Sequence, residues 1–213
     1  PKFGNVSERR NRIHDINRLK ELTFDMGGEQ IVGSIKSSSI SNSRNKVQAY
    51  ITTNLNYFDS FKGAYHDQKT WEKHPDSLER FIFFSKTVID TCVLLNWFPQ
   101  VIHCLGWQTA LIPAYAKTLY PKEFKKTKFV FTSNDFADQG VDKIAKYNLL
   151  GLPEKMKEDF TNNKDLNLLK GGLIYADKVT AISTSYAEDL LKDDALSNGL
   201  FKKVKDVKKK FAA

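Results

Sequence analysis

The chain has 213 residues, of which 41% are hydrophobic and 27% charged, and its 33 basic and 25 acidic side chains give a net charge of +8. These proportions are ordinary for a soluble globular protein, and the length allows one domain with a sizeable core or two small ones. No apolar run approaches the about 18 residues of a membrane-spanning helix, so no membrane span is expected.

The positive charge would suit an acidic partner such as nucleic acid, a phosphorylated ligand or a membrane surface. Much of the excess lies at residues 201–213, where six lysines accompany one aspartate. This pattern favours a solvated lysine surface over a nucleic-acid site, because no nucleic-acid motif accompanies it and aromatic residues do not interleave with the lysines. We expect an exposed, frayed helix there: a basic tail after a domain at residues 1–200.

The two cysteines, Cys92 and Cys104, have neither a metal-ligand spacing nor a disulfide framework around them. We therefore expect buried thiols, no metal site, and a reducing, cytoplasmic compartment.

The first predicted elements are two half-buried strands. Residues 29–34 and 47–52 alternate apolar and polar side chains, which is the period of a strand with one buried face. The small polar residues between them, at 37–45, predict a turn.

The strongest helical pattern covers residues 74–97, with apolar side chains at helical spacing. Pro75 suits an early helical position, Asp76 or Ser77 can cap the helix, and Glu79 places an acid near its positive end.

Three short apolar runs follow, at residues 100–105, 128–133 and 178–183, and each precedes a helical pattern. Buried strands that alternate with helices predict a Rossmann-like α/β fold, with a parallel sheet and helices on both faces. We expect the two earlier strands, near 29–35 and 47–53, to belong to the same fold.

Polar residues gather where these runs end, and in an open parallel sheet ligands bind beyond the carboxyl ends of the strands. His103 lies near the end of the first run. Gly106 lets the chain turn sharply into a helix that begins near Trp107, with free N–H groups facing the same crevice. Three polar residues, 133–135, lie at the end of the second run. His103 is thus a candidate ligand-binding residue, and a histidine satisfied by backbone hydrogen bonds is the alternative.

Five segments, in order along the chain, carry a resemblance to a known family. QVIHCLGWQTALIPAY at 100–115 is similar to DVIHCHDWQTALIPVY, and KFVFTSNDFADQG at 128–140 is similar to KTVFTIHNLAYQG. The other three are YFDSFKGAYHD (57–67), HPDSLERFIFFSK (74–86) and NLLKGGLIYADKVTAISTSYAEDL (167–190). The chain resembles the N-terminal catalytic domain of the bacterial glycogen synthases and plant starch synthases.

This resemblance implies one half of a GT-B fold and a retaining transfer of glucose from a sugar nucleotide, usually ADP-glucose, to an α-1,4-glucan. The donor is a substrate, so no cofactor is implied, and neither nucleic acid nor a membrane is an expected partner. The oligomeric state stays open.

The resemblance also implies that the first two strands and first helix of the domain are absent, together with a glycine-rich Lys-x-Gly-Gly loop and the whole second domain. Because the chain begins at Pro1, we expect a fragment or a trimmed protein. A short, single-domain bacterial branch of the family opens similarly and is the alternative.

Two departures fall inside the shared motifs. The family's His-x-His-x-Trp begins at His103 and ends at Trp107, but its second histidine, generally placed at the reacting glucose, is Leu105. The family's Ile-His-Asn reads Ser-Asn-Asp at 133–135, so Asn134 replaces another histidine. These replacements raise a second hypothesis, a degenerate homologue that binds glucan or nucleotide without transferring glucose.

By the resemblance, His103 is the catalytic candidate. The structural alternatives are a cap for Asp76, a core aromatic for Trp107 and Tyr186, and loop-holding contacts to carboxylates for Arg80 and Lys170. The substrate-binding candidates are Asp76, Trp107, Gln108, Asn134, Gln139 and Asn163.

Overall fold

The computed structural model of the protein describes residues 1–41 and 46–211. Contacts divide the chain into two compact units, Pro1–Leu95 and Asn96–Ala213. The second half of the predicted turn, residues 42–45, and the last two residues of the predicted tail lie outside the described residues. The division into a domain at 1–200 and a tail at 201–213 stays a prediction.

The first unit is built on an antiparallel sheet with one helix. Its longest strand pairs antiparallel with each of the other three strands. The elements are β1 (His14–Asp15), β2 (Leu22–Met26), β3 (Glu29–Ser41), β4 (Lys46–Thr53) and α1 (Ser77–Leu94), with a π-helical turn at Leu55–Asp59.

Both strands predicted in this region are present, but they do not join a parallel sheet as expected. Their alternation of apolar and polar residues is typical of antiparallel sheets with one solvated face. The described part of the predicted turn, 37–41, continues β3, because the backbone of β4 supplies hydrogen bonds whatever the side chains are.

The core of this unit forms where α1 crosses the sheet. Phe83 of α1 meets Phe24 of β2 edge-on, with ring centroids 5.1 Å apart. Gly33 of β3 leaves room for this ring, since a Cβ there would come within 2.5 Å of Phe83 Cζ.

The second unit contains the predicted parallel sheet and a small antiparallel sheet. The elements are β5 (Val101–Leu105), α2 (Leu111–Leu119), β6 (Lys128–Ser133), β7 (Val141–Lys143), β8 (Thr161–Asn162), β9 (Asp165–Asn167), α3 (Leu168–Tyr175), β10 (Lys178–Ala181), α4 (Thr184–Lys192) and α5 (Phe201–Asp206). The strand order is β10-β6-β5 in the parallel sheet and β7-β9-β8 in the antiparallel one.

The parallel sheet buries one face under helices. Phe129, Phe131 and Val179 are fully buried on that face. Helix α3 lies close to it, since a Cβ on Gly172 would come within 2.8 Å of Phe131 Cζ. On the other face Leu105 is 56% exposed. Helices on both faces were expected, whereas in the described chain the side chains of this second face are exposed or half-buried.

The start of the predicted tail is folded rather than frayed. Val204 and Val207 are buried, and Lys210 Nζ donates a hydrogen bond to the carbonyl of Ala176 at 2.9 Å. Phe211 forms a β-bridge with Val179 of β10. Apolar residues at helical spacing among the lysines explain this packing. The expectation of a frayed helix considered only the number of lysines.

Trp107 and Gly140 form a second tight contact in this unit. A Cβ on Gly140 would come within 2.3 Å of the indole Cε3 of Trp107, and the φ of Gly140 is 63°. Glycine is required here both for its conformation and for the space it leaves.

We predict that Val204→Ala lowers the free energy of unfolding by about 1.6 kcal/mol, because two buried methyl groups contribute about 0.8 kcal/mol each. Leu196→Ala, at a position 39% exposed, is the control and is expected to cost less. Urea titrations followed by circular dichroism measure both. Equal losses would mean that the helix after Leu200 is frayed.

We predict that Gly140→Ala destabilises the chain by about 2–5 kcal/mol, the sum of left-handed backbone strain and overpacking against Trp107. Gly28→Ala separates the two causes, because Gly28 has a φ of 92° but nothing within 4 Å of its Cβ position. That variant is expected to lose only the stability that backbone strain costs, about 1–2 kcal/mol. Thermal melts that give the two variants equal losses would show that the indole moves aside freely.

Candidate functional site

His103 lies in a row of polar side chains that crosses the three parallel strands. Its Nε2 is 2.6 Å from the hydroxyl oxygen of Thr132, which in turn hydrogen-bonds the hydroxyl of Thr180. A hydroxyl both donates and accepts, so the row can orient either the neutral or the protonated imidazole. Thr132 of β6 thus gives the His103 ring a side-chain partner. The alternative considered from the sequence was a histidine whose hydrogen bonds go to the backbone.

Sequence reasoning missed Thr132 and Thr180. Each is a polar residue near the carboxyl end of an otherwise apolar strand, and that was the available signal. Which strands are neighbours was not readable from the chain, and it is the register Thr132 to Thr180 that brings the two hydroxyls together.

Leu105 lies on the same strand face as His103, since side chains two apart in a strand point the same way. Its exposed side chain therefore presents a methyl surface beside the polar row. Cys104 points the other way and is buried. Burial raises the pKa of Cys104 to about 12, so this thiol stays protonated and is a poor nucleophile near neutral pH.

The turn after β5 depends on Gly106, whose φ is 71°. Its N–H donates to the carbonyl of Thr132 at 2.8 Å, which ties the turn to β6. The side chain of Gln108 folds over it, so that a Cβ on Gly106 would come within 2.5 Å of Gln108 Oε1. The predicted helix begins here as a 3-10 turn, Trp107–Thr109, and Trp107 itself is buried against Gly140.

The loop after β6 holds two predicted site residues in different environments. Asn134 is exposed. Gln139 is buried, and its Nε2 lies 2.9 Å from the carbonyl of Phe136 and 3.2 Å from that of Ser197. Its Oε1 accepts from Asn167 Nδ2 at 2.6 Å. The polar atoms of Gln139 are therefore bonded within the protein and fix this loop.

Asn163 lies at the tip of the β8–β9 hairpin. The φ values of Asn163 and Lys164 are 49° and 71°, the conformation of a two-residue type I′ turn, which asparagine tolerates well. Lys170 holds the preceding segment by donating to the carbonyls of Glu158 and Thr161 at 2.8 and 2.5 Å. The expected carboxylate partner of Lys170 is thus replaced by backbone oxygens.

In the first unit, Asp76 precedes α1 but forms no side-chain cap hydrogen bond. Its Oδ1 is buried without a hydrogen-bond partner in the described structure. Arg80, one turn later, is fully buried and donates from Nε to the carbonyl of Tyr57 at 2.6 Å. Its guanidinium lies 4.6 Å from the ring centroid of Phe61.

Arg80 was expected to hold a loop through a carboxylate, but a backbone carbonyl and an aromatic ring take that place. Burial lowers the pKa of Arg80, and the charge of Asp76 opposes the shift. The Asp76 carboxylate, free of any capping bond, retains acceptor capacity for a ligand hydroxyl.

Among residues 1–41 and 46–211, no three histidine, cysteine, aspartate or glutamate side chains are grouped so as to hold a metal ion. Over the same ranges, no helix combines the length and apolarity that crossing a bilayer requires.

Comparison with known proteins gives a consistent match. The family model of the starch synthase catalytic domain matches residues 1–203. The chain is 34% identical to a glycogen synthase of Chlorobaculum parvum over 99% of its length, and 36% identical to one of Chlorobaculum tepidum over 96%. It spans only 43% and 42% of those two relatives.

A solved structure has the same fold. The catalytic domain of starch synthase IV from Arabidopsis thaliana, bound to ADP and acarbose, superposes with a TM-score of 0.80 and 21% identity. The match covers 99% of this chain and 42% of that one. This likeness confirms the predicted α/β fold class. With a family model matched along residues 1–203, the chain belongs to the starch synthase catalytic domain family.

Proposed function

We propose that the chain is part of a retaining glucosyltransferase that moves glucose from a sugar nucleotide, ADP-glucose, to the 4-hydroxyl of an α-1,4-glucan. The observation that carries the proposal is the family match along residues 1–203, supported by relatives that are glycogen synthases. The ADP and acarbose bound to the Arabidopsis protein support a nucleotide and a sugar as ligands here as well.

The polar row at the strand ends supplies a physical basis for this proposal. A histidine held by Thr132 before the substrate arrives loses little orientational freedom on binding it. A donor fixed where charge develops in the transition state accelerates transfer without reorganisation. In this proposal His103 contacts the reacting sugar, and Thr132 positions the His103 ring. Asp76, Asn134 and the other substrate-binding candidates remain predictions.

The sugar nucleotide is a substrate in this proposal, and no metal or organic cofactor takes part. Cytoplasmic localisation also remains a prediction, supported by the free, buried thiols of Cys92 and Cys104.

A second candidate function is glucan or nucleotide binding without transfer. Leu105 favours it, because an exposed leucine stands where the family has a histidine, and a leucine cannot donate a hydrogen bond. Asn134 adds to this, since it replaces a second histidine of the family.

The proposal is tested by the transfer of labelled glucose from ADP-glucose or UDP-glucose to glycogen, using the native polypeptide that contains this chain. Turnover above background supports the transferase. If neither donor gives turnover while glycogen is still bound, the non-catalytic homologue is the correct description.

We predict that the native protein is slow and that Leu105→His together with Asn134→His raises its rate more than Leu105→His alone. The loss of one preorganised donor typically lowers kcat by about 10²–10³-fold. Val101→His is the matched control: it adds a histidine at a position 55% exposed on the same strand face. A native rate equal to that of an ordinary synthase would show that the missing histidine is dispensable here.

We predict that Thr132→Val lowers kcat by about 2- to 10-fold, the worth of one hydrogen bond, with little change in KM. Thr132→Ser keeps the hydroxyl and should restore the rate. A long-range ¹H–¹⁵N spectrum of the His103 ring gives a readout that needs no turnover: its tautomer distribution should change in Thr132→Val and not in Thr132→Ser. An unchanged ring spectrum in both variants would remove Thr132 from this role.

A further inference from the structure

The first unit contains a cavity of about 340 Å³ in the segment between β4 and α1. Its lining combines cationic, carboxylate, amide and aromatic side chains, and none of the site residues predicted from the sequence is among them. The lining residues used below are Phe61, Lys62, Asp67, Gln68, Lys69 and His74.

The walls of this cavity are tied together by hydrogen bonds within the segment. Asp67 Oδ1 accepts from the N–H groups of Lys69 and Thr70 at 2.8 and 3.0 Å. The side-chain amide of Gln68 donates to the carbonyl of Lys62 at 3.3 Å, and a β-bridge joins residues 66 and 73. The two lysine-bearing sides are therefore linked without a ligand, so these two sides would need little reorganisation on binding.

Three of the lining groups attract an anion or offer it a hydrogen bond. Within the described chain, Lys62 and Lys69 form no ion pair and their side chains are exposed. His74 is 94% buried, at 6% relative exposure, and its Nε2 has no hydrogen-bond partner in the described protein. A buried polar atom without a partner is unfavourable, so a movement of the His74 side chain that brings this nitrogen to a ligand in the cavity is favoured.

The remaining groups suit hydroxyls rather than a second negative charge. The Asp67 carboxylate would repel a bare anion but accepts hydrogen bonds from sugar hydroxyls. The ring of Phe61, 4.5 Å from that of His74, adds an apolar surface. The volume exceeds what a phosphate ion alone needs and falls in the range of small-molecule sites.

We infer that this cavity binds a small phosphorylated sugar, with the phosphate between Lys62, Lys69 and His74 and the sugar hydroxyls at Asp67 and Gln68. The inference does not rest on the proposed transferase activity. Binding to an inactive chain, or transfer without this binding, would separate the two.

The experiment titrates glucose 1-phosphate, inorganic phosphate and maltose separately into the 213-residue chain, with calorimetry for affinity and ¹H–¹⁵N spectra for location. We expect glucose 1-phosphate to bind about tenfold or more tightly than either other probe, because only it offers both chemical groups. The Gln68 side-chain amide and the His74 ring should shift on binding.

Variants locate the phosphate. The double variant Lys62→Met with Lys69→Met should weaken glucose 1-phosphate binding by about tenfold or more, and His74→Gln should weaken it as well. Lys122→Met, at an exposed lysine in the second unit, is the control and should leave the affinity unchanged. Far-ultraviolet circular dichroism confirms that each variant is folded.

The outcomes that overturn the inference are distinct. Binding of glucose 1-phosphate that survives the double lysine variant places the phosphate elsewhere. If inorganic phosphate binds as tightly as glucose 1-phosphate, the site does not recognise the sugar. If maltose binds as tightly, the site recognises a neutral sugar and not the phosphate. No saturable binding of any probe rejects the site altogether.

Discussion

The one-sided burial of the parallel sheet governs the candidate site. Phe129, Phe131 and Val179 turn toward the helices because an aromatic or β-branched side chain gains most from leaving water, and strand geometry then sends every alternate residue to the other face. His103 and Thr132 lie on that second face as a consequence. Residues of β5, β6 and β10 become neighbours there because the backbone ladders of the sheet hold them in register. The polar row is thus a by-product of how the core packs.

Close packing also explains the glycines of the shared motifs. Gly171 approaches Phe160 so closely that a Cβ would lie 1.9 Å from its ring, and Gly172 stands in the same relation to Phe131. Gly140 accommodates Trp107, and Gly106 adopts a positive φ that lets β5 turn back toward β6. These glycines allow the strands, helices and loops of the second unit to pack closely, because a side chain at their positions would push the elements apart.

The buried polar side chains at and near the predicted site residues are of two kinds. The side-chain amide of Gln139 forms hydrogen bonds to neighbouring loops, so this residue holds those loops together. Asp76 and His74 each keep one buried polar atom without a partner in the described structure, and Arg80 keeps two. Such groups raise the energy of the folded chain, and proteins tolerate them chiefly where they serve a ligand or hold ordered water. The start of α1 therefore differs in character from the loops around Gln139.

The sequence by itself determined the local elements and the family. The strands β5, β6 and β10 and the helix α1 follow from short-range periodicity, and the five ordered motifs follow from residue identity alone. The tertiary structure decided which of these residues meet. Thr132 is 29 residues from His103 and 48 from Thr180, and no local pattern encodes contacts at that separation. The same limit explains the antiparallel pairing of β3 and β4, the carbonyl partners of Arg80 and Lys170, and the packed helix found where lysines suggested a frayed one. Each depends on strand register and core packing, which are fixed only when distant segments of the chain compete to bury the same apolar surface.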